Sequence, residues 1–389
     1  MKIALLSEKY TPDPGGLAIS TGRLAHLLAS AGHTVRVIAP TSGLPASEQR
    51  SLPSGGPSVT RFGARKRTDD TLVDWLELIA AEHRRAPFDL LHAYFLPQAG
   101  FVAAYAGKYL GIPSVVSMRG NDIERAAFDP ARFSHILYAL QNASALTTNA
   151  GELASKAKAF VDREVIVIPN GVDAGHFKPM ERNGTLAGAL GIDNGTKRKE
   201  ERSAVIGFAG ELREKKGLHT LLSGYAQIAK ARPACLLIAG DLRAGEDKQA
   251  FESFHRAHPD AKMVVTGFVP HNDLPAYYSL MDVFVHPSLR DGLPNALLEA
   301  MACGKAAVVT PVGGMAQAVK DRVNGLVVPA GDADALRRAV ETLLDDASLR
   351  ENLAANARRE AVEHFPVEKE LTANLAIYQE LCSPSPARR

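Results

Sequence analysis

Short apolar runs without polar alternation constrain this chain more than anything else in it. In the first half they are KIALLS (2–7), VRVIA (35–39), FDLLHAY (88–94), PSVVSM (113–118), SALTT (144–148) and EVIVIP (164–169). Between them lie stretches of helical period, such as ISTGRLAHLLASAG (19–32), TLVDWLELIAAEHRR (71–85) and GFVAAYAGKYLG (100–111). A strand that is apolar on both faces belongs in a parallel sheet covered by helices on both sides. The second half repeats the pattern with AVIGFAG (204–210), ACLLIAG (234–240), KMVVTG (262–267), DVFVHP (282–287), KAAVVTP (305–311) and GLVVPA (325–330). Two βα series in succession predict two Rossmann-like, doubly wound α/β domains. The carboxyl ends of their strands are expected to face a shared cleft, where such folds bind ligands.

The join is expected where composition turns polar, Gly-rich and charged, in ERNGTLAGALGIDNGTKRKEER. The division is therefore an N-terminal Rossmann-like domain over 1–175, a linker over 176–203 and a C-terminal Rossmann-like domain over 204–364. Residues 365–389 form a last helix, VEKELTANLAIYQEL (367–381), expected to pack back on the first domain, and a frayed tail. The irregular stretch 41–67 is too long for an ordinary connector and is expected to be a disordered insertion or a substrate-facing flap.

Composition excludes several classes. A formal net charge of +2 across 389 residues demands no nucleic acid or acidic partner. No apolar run is long enough to span a bilayer. The apolar part of MKIALLSEKYTPDPGG is too short for a signal peptide and is read as a first strand. Cys235, Cys303 and Cys382 are far apart and form no CxxC or His/Cys cluster. Reduced thiols, a cytoplasmic protein and no structural zinc are expected.

Three strand-to-helix loops could carry chemistry. In SEKYTPDPGGLAIS, Gly15 and Gly16 let backbone approach a ligand, and the following helix offers free amides to an anion. In FAGELREKKGLHTLL, Arg213, Lys215 and Lys216 lie between a strand ending at Gly210 and a helix opening near Gly217. Cations there fit a diphosphate; a solvated charged turn is the plain alternative. In SLRDGLPNALLEAMACGK, a helix from Pro294 or Asn295 to Ala302 follows a polar loop holding Asp291, with Gly304 at its C-terminal cap. The amides of Asn295, Ala296 and Leu297 are expected to be open donors, and Glu299 shares a face with Asn295.

These residues resemble the retaining glycosyltransferases of family 4, which have the GT-B fold. DGLPNALLEAMACGKAAVVTPVGG is similar to that family's E-x7-E region. PGG (14–16), IPNGVD (168–173), FAGELREKKG (208–217), GFVPHNDLPAYYSLMDVFVHPS (267–288) and NGLVVPAGD (324–332) resemble its other segments, in order and over nearly the whole chain. The resemblance implies roles. Asp291 would contact the donor sugar and Glu299 the nucleotide ribose. Arg213 and Lys216 would hold the diphosphate, Gly210 would line that turn, and Gly16 would approach it from the other domain. The backbone around Val269 would meet the base, and Leu293, Pro294, Asn295, Ala296 and Leu297 would form the donor-facing lead-in to the helix.

Three departures accompany the resemblance. The first acid is aspartate where glutamate is usual. The arginine of the phosphate turn comes two places late, as Arg213. The usual His-Gly of the first domain is Arg119-Gly120, so Arg119 is the candidate there, with His92 as a second cleft candidate. Asp69-Asp70 and Asp332-Ala333-Asp334 look like acidic metal motifs but precede helices, and Asp332 is read as an N-cap. No metal and no cofactor are implied, with Arg213 and Lys216 in place of a cation.

The expected activity is transfer of a sugar, with retention, from a nucleoside-diphosphate sugar to a glycan or lipid-linked acceptor of cell-surface polysaccharide or glycolipid synthesis. A nucleotide-sugar epimerase of the same architecture, or a non-catalytic nucleotide-sugar-binding subunit, are the alternatives. Arg61, Arg65, Lys66 and Arg67 could give peripheral contact with an anionic membrane or be a solvated loop.

Overall fold

The computed structural model describes residues 1–46, 48–52, 56–192 and 202–383. They form two compact units: Met1–Pro169 with the C-terminal segment from Glu368, and Asn170–Val367. Among the described residues no helix is long and apolar enough to cross a membrane.

The first unit is built on β1 (Lys2–Ser7), β2 (Thr34–Thr41), β3 (Gln49–Leu52), β4 (Ser58–Gly63), β5 (Leu90–Tyr94), β6 (Ser114–Met118), β7 (Ala145–Thr148) and β8 (Ile166–Val167). Their order is β3-β4-β2-β1-β5-β6-β7-β8. Every pairing is parallel except β3 with β4. The run of apolar residues in β1 has a direct cause. Ala4 and Leu6 join one core with Trp75 and Ile79, while Ile3 and Leu5 join another with Leu24 and Leu28. Both faces are covered, so neither can be polar.

The 41–67 expectation is corrected by this sheet. The described part is neither a disordered insertion nor a flap: β4 continues the sheet beside β2, and β3 folds back on it. Residues 47 and 53–55 lie outside the described residues. Within β4, Arg61 is buried and donates to the Tyr10 carbonyl at 2.8 Å and to Asp13 Oδ2 at 2.8 Å. Arg65 makes a forked pair with Asp74 at 2.5 and 3.0 Å. Of the four cations proposed for a membrane surface, Arg61 is thus spent internally and Arg65 is paired at the surface.

The helix Val367–Cys382 belongs mostly to the first unit. Ile377 and Tyr378 enter the core behind β1, and Glu370 accepts from Arg23 Nε at 2.8 Å. Residues 384–389, most of the tail read as frayed, lie outside the described residues.

The second unit carries β9 (Ala204–Ala209), β10 (Ala234–Ala239), β11 (Lys262–Val265), β12 (Val283–His286), β13 (Ala307–Val309) and β14 (Leu326–Val327), ordered β11-β10-β9-β12-β13-β14 and parallel throughout. In β9, Val205 and Ala209 face one core, Ile206 and Phe208 the other. The boundary differs from the expected linker. The unit begins at Asn170, and the segment up to Ile192 is part of it. Asn183 caps a helix, Gly184–Ala189, by accepting from the Leu186 amide at 2.9 Å, and Ala187 and Ile192 are buried with Tyr278 and Leu280. Polar composition hid two apolar anchors. Residues 193–201 lie outside the described residues.

Candidate active site

The site of the second unit is assembled from two neighbouring strand ends. β9 ends before Gly210, whose φ of 112° suits only glycine. The chain then makes a short 3-10 turn, Glu214–Lys216, and enters the helix Leu218–Ala231 through Gly217. At Gly217 φ is 81°, and a Cβ would lie 2.0 Å from the Pro287 carbonyl oxygen. The turn after β9 therefore packs directly on the segment after β12. The Leu289 amide donates to the Lys215 carbonyl at 2.9 Å, which locks the two loops together.

Asp291 lies in that second loop, and four donors converge on it. Lys216 Nζ pairs with Oδ2. His286 Nε2 donates to the same oxygen at 3.1 Å and Ser288 Oγ at 3.3 Å, while the Gly292 amide donates to Oδ1 at 3.1 Å. Burial pushes the carboxyl up, but Lys216 and then the His286 hydrogen bond outweigh it. The group is held well below the usual carboxylate range. The loop is backed by Gly313, where φ is 58° and a Cβ would meet the Asp291 carbonyl oxygen at 2.1 Å. The Gly314 amide donates to the Gly292 carbonyl at 2.9 Å.

The helix Asn295–Ala302 follows, with Pro294 as its N-cap and Gly304, at φ 66°, past its end. Leu297, Leu298, Ala300, Met301 and Ala302 are buried and seat the helix in the core. Gly292, Leu293 and Pro294 are buried as well, and Ala296 is half-buried. One expectation is corrected here: the Leu297 amide is not an open donor, because it bonds to the Pro294 carbonyl at 3.2 Å. The lead-in is braced by Asn170, which donates to the Leu293 carbonyl at 2.6 Å and to Asn295 Oδ1 at 3.0 Å. That gives the IPNGVD segment a physical role.

Glu299 is buried on the same helix, with both oxygens engaged. His271 Nε2 bonds to Oε1 at 2.8 Å and Tyr278 donates to Oε2 at 2.9 Å. Burial, then the neighbouring carboxylate, push the Tyr278 phenol well up, so it stays a donor. His271 follows the FVP stretch, where Val269 is buried and Phe268 is exposed. Arg213 is half-buried and pairs with Glu211 at 3.3 Å. Asp332 caps the helix Ala333–Asp345 through the Ala335 amide at 2.8 Å. Asp69 and Asp70 lie in the first turn of Thr68–Arg85.

In the first unit, Gly15 caps the helix Gly16–Ser30 at φ 114°, so glycine is required by conformation. Arg119 follows β6, and its guanidinium lies 3.9 Å from the centroid of the Tyr94 ring. Buried Asp122 shapes this turn by accepting from the amides of Arg119 at 3.1 Å, Gly120 at 2.8 Å and Ile123 at 3.1 Å. Burial raises the Asp122 carboxyl to about 6 against those amides. His92 is corrected. It is no cleft residue but a fully buried one in mid-β5, bonded to Tyr378 at 2.5 Å through Nδ1 and to Ser117 at 2.7 Å through Nε2. Burial, then Arg119, lower it to about 3, so it stays neutral and ties the C-terminal helix to the sheet.

Comparison with known proteins decides what this geometry belongs to. Residues 14–176 match the family described as "Glycosyltransferase Family 4", and residues 193–360 match "Glycosyl transferases group 1". The chain belongs to the family 4 glycosyltransferases of the GT-B fold. This glycosyltransferase is 26% identical to "Uncharacterized glycosyltransferase MJ1607" of Methanocaldococcus jannaschii, over 97% of this chain and 98% of that one. It is 29% identical to a D-inositol 3-phosphate glycosyltransferase of Salinispora arenicola, over 78% of this chain and 71% of that one. Its fold matches that of Anabaena HepE, solved in complex with UDP-glucose, with a TM-score of 0.80 at 21% identity, covering 98% and 100% of the two chains. Sequence reasoning about this glycosyltransferase missed His271, Tyr278, His286, Ser288 and Asn170. Each sits beside a motif residue in space while looking ordinary in the sequence.

Proposed function

We propose that the chain transfers a glycosyl group from a nucleoside-diphosphate sugar to an acceptor hydroxyl with retention of anomeric configuration and without a metal ion. The observation that carries this is the Lys216–Asp291 pair, set beside the N-terminus of Asn295–Ala302. It supplies a fixed anion for sugar hydroxyls next to a cation for the diphosphate. The bond from the anomeric carbon to the diphosphate oxygen breaks, and Lys216 and Arg213 take up the charge left on that oxygen. The acceptor oxygen bonds to the same face of the anomeric carbon, and its proton passes to the leaving phosphate. Glu299 receives the ribose hydroxyls once His271 gives way, Val269 lies by the base, and Gly15 and Gly16 are further candidate diphosphate contacts. Arg119 and the first unit hold the acceptor.

UDP-glucose in the complex of the structural relative supports a nucleotide sugar as donor. The acceptor remains a glycan or lipid-linked saccharide of cell-surface synthesis, with a polyol phosphate favoured as a further candidate by the inositol phosphate-using relative. We assign the enzyme to the cytoplasm, where its cysteines stay reduced; Cys235 and Cys303 are buried free thiols. Peripheral membrane contact now rests on exposed Lys66 and Arg67. The test is incubation with a panel of nucleotide sugars, following release of nucleoside diphosphate and the anomeric NMR signal of the product. Release with a retained anomer is expected. Sugar interconversion without release supports an epimerase, binding without turnover supports a non-catalytic subunit, and an inverted anomer removes the mechanism.

A further inference from the structure

His286 is the last residue of β12, and its surroundings are odd for a core side chain. It is 1% exposed and its ring stacks with two phenylalanines, Phe208 at 5.6 Å and 11° and Phe284 at 6.1 Å and 22°. An apolar residue would fill this slot without cost. Instead an imidazole sits there, with Nδ1 buried and without a hydrogen-bond partner among the described residues. Only Nε2 has a partner, Asp291 Oδ2 at 3.1 Å. A carboxylate only accepts, so Nε2 carries the proton and Nδ1 is the bare lone pair.

We propose that His286 is a positioning residue for glycosyl transfer, whose Nε2–H fixes the Asp291 carboxylate in the orientation that receives the donor sugar. The inference rests on the reading of Asp291 as the sugar-contacting acid. His286 and Ser288 hold Oδ2 together with Lys216, while Oδ1 takes the Gly292 amide and keeps acceptor capacity for a sugar hydroxyl. The short side chain is thereby held by four donors, one charged and three neutral. The charged groups facing the ring are Asp291 from its own loop and Lys216 and Lys215 from the turn after β9. Burial lowers the imidazole's proton affinity and the Asp291 bond opposes this, so the ring acts as a neutral donor. It does not compete with Lys216 for the role of cation.

His286→Phe is the variant to make, since a third ring keeps the stack and removes both the donor and the orphaned lone pair. His286→Gln is its partner, because the Gln side-chain amide can reach Asp291 as Nε2 does. With the nucleotide sugar that the wild-type chain turns over fastest, His286→Phe should lower kcat about tenfold or more, the order expected for one lost positioning hydrogen bond. Donor KM should change little, and the melting temperature should hold or rise. The acidic limb of kcat should move to higher pH, since Asp291 loses a donor that favours its charged form. His286→Gln should recover most of kcat. In nitrogen-15 spectra of the wild type, His286 should be the neutral, Nε2-protonated tautomer. The proposal is overturned if His286→Phe keeps kcat and its acidic limb, if it only lowers the melting temperature, or if the ring is Nδ1-protonated. Asp291→Asn run in parallel separates the two levels: full activity there removes the reading of Asp291 itself, whereas loss there with normal His286→Phe removes only the role of His286.

Discussion

Asp291 and Glu299 lie eight positions apart on one loop and helix, yet their settings differ in kind. Asp291 meets a lysine, a histidine, a serine and a backbone amide, and its charge is heavily stabilised. Glu299 meets half-buried His271 and fully buried Tyr278, so its His271 side is the one open to exchange for ligand hydroxyls. A carboxylate tied to a lysine on a locked loop is preorganised. A carboxylate anchored by a buried phenol on one oxygen and by half-buried His271 on the other is exchangeable at the His271 side. The difference teaches how one loop and helix can address two parts of a donor: a fixed acid for the reacting sugar, and an adaptable one for the nucleoside.

The largest effect expected from breaking this contrast is at the fixed acid. Asp291→Asn should reduce kcat by roughly 10²–10³, the scale of a lost electrostatic contact in an active site, while circular dichroism stays native. Turnover by the wild type should persist below the ordinary carboxylate range. Asp291 has a depressed pKa, so its stabilising charge is complete above the unfolded-state value and is lost only as pH falls through the lower, folded-state one. A kcat profile carried from neutral pH down through and below the ordinary aspartate range checks this, with Asp291→Asn lacking the acidic limb. Glu299→Gln should act chiefly on donor KM, by about tenfold, with kcat closer to wild type. A mutational loss in kcat alone would erase the contrast. Gly313→Ala should cost about 1–3 kcal/mol of stability by strain at positive φ, seen as a lower melting temperature, because its Cβ meets the Asp291 carbonyl. Tyr278→Phe is the mildest, about 1 kcal/mol or less, read as a small rise in donor KM.

Much of this was legible before any coordinates. Apolar runs such as KIALLS gave the strands because both faces of each sheet are covered, and the Gly/Pro-marked loop gave the site because special backbone has few other uses. What escaped notice depended on register and on contacts far apart in sequence. His92 looked like a strand-end residue. It pairs with Leu5 on one side and Val115 on the other, so it sits inside the sheet. β4 was hidden by the Gly, Ser and Pro around SVTRFG. The partners of Glu299 lie 28 and 21 residues away, and no local pattern announces such a meeting. Ala187 and Ile192 were lost in a polar segment for the same reason.

The central claim is the division of labour between the two acids. Isothermal titration can test it directly, using the nucleoside diphosphate of the preferred donor and then the full nucleotide sugar, against wild type, Asp291→Asn and Glu299→Gln. The account predicts that Glu299→Gln weakens both ligands alike. It predicts that Asp291→Asn leaves the nucleoside diphosphate near its wild-type affinity and loses only the increment contributed by the sugar. Equal weakening of the free nucleoside diphosphate by both substitutions would contradict it.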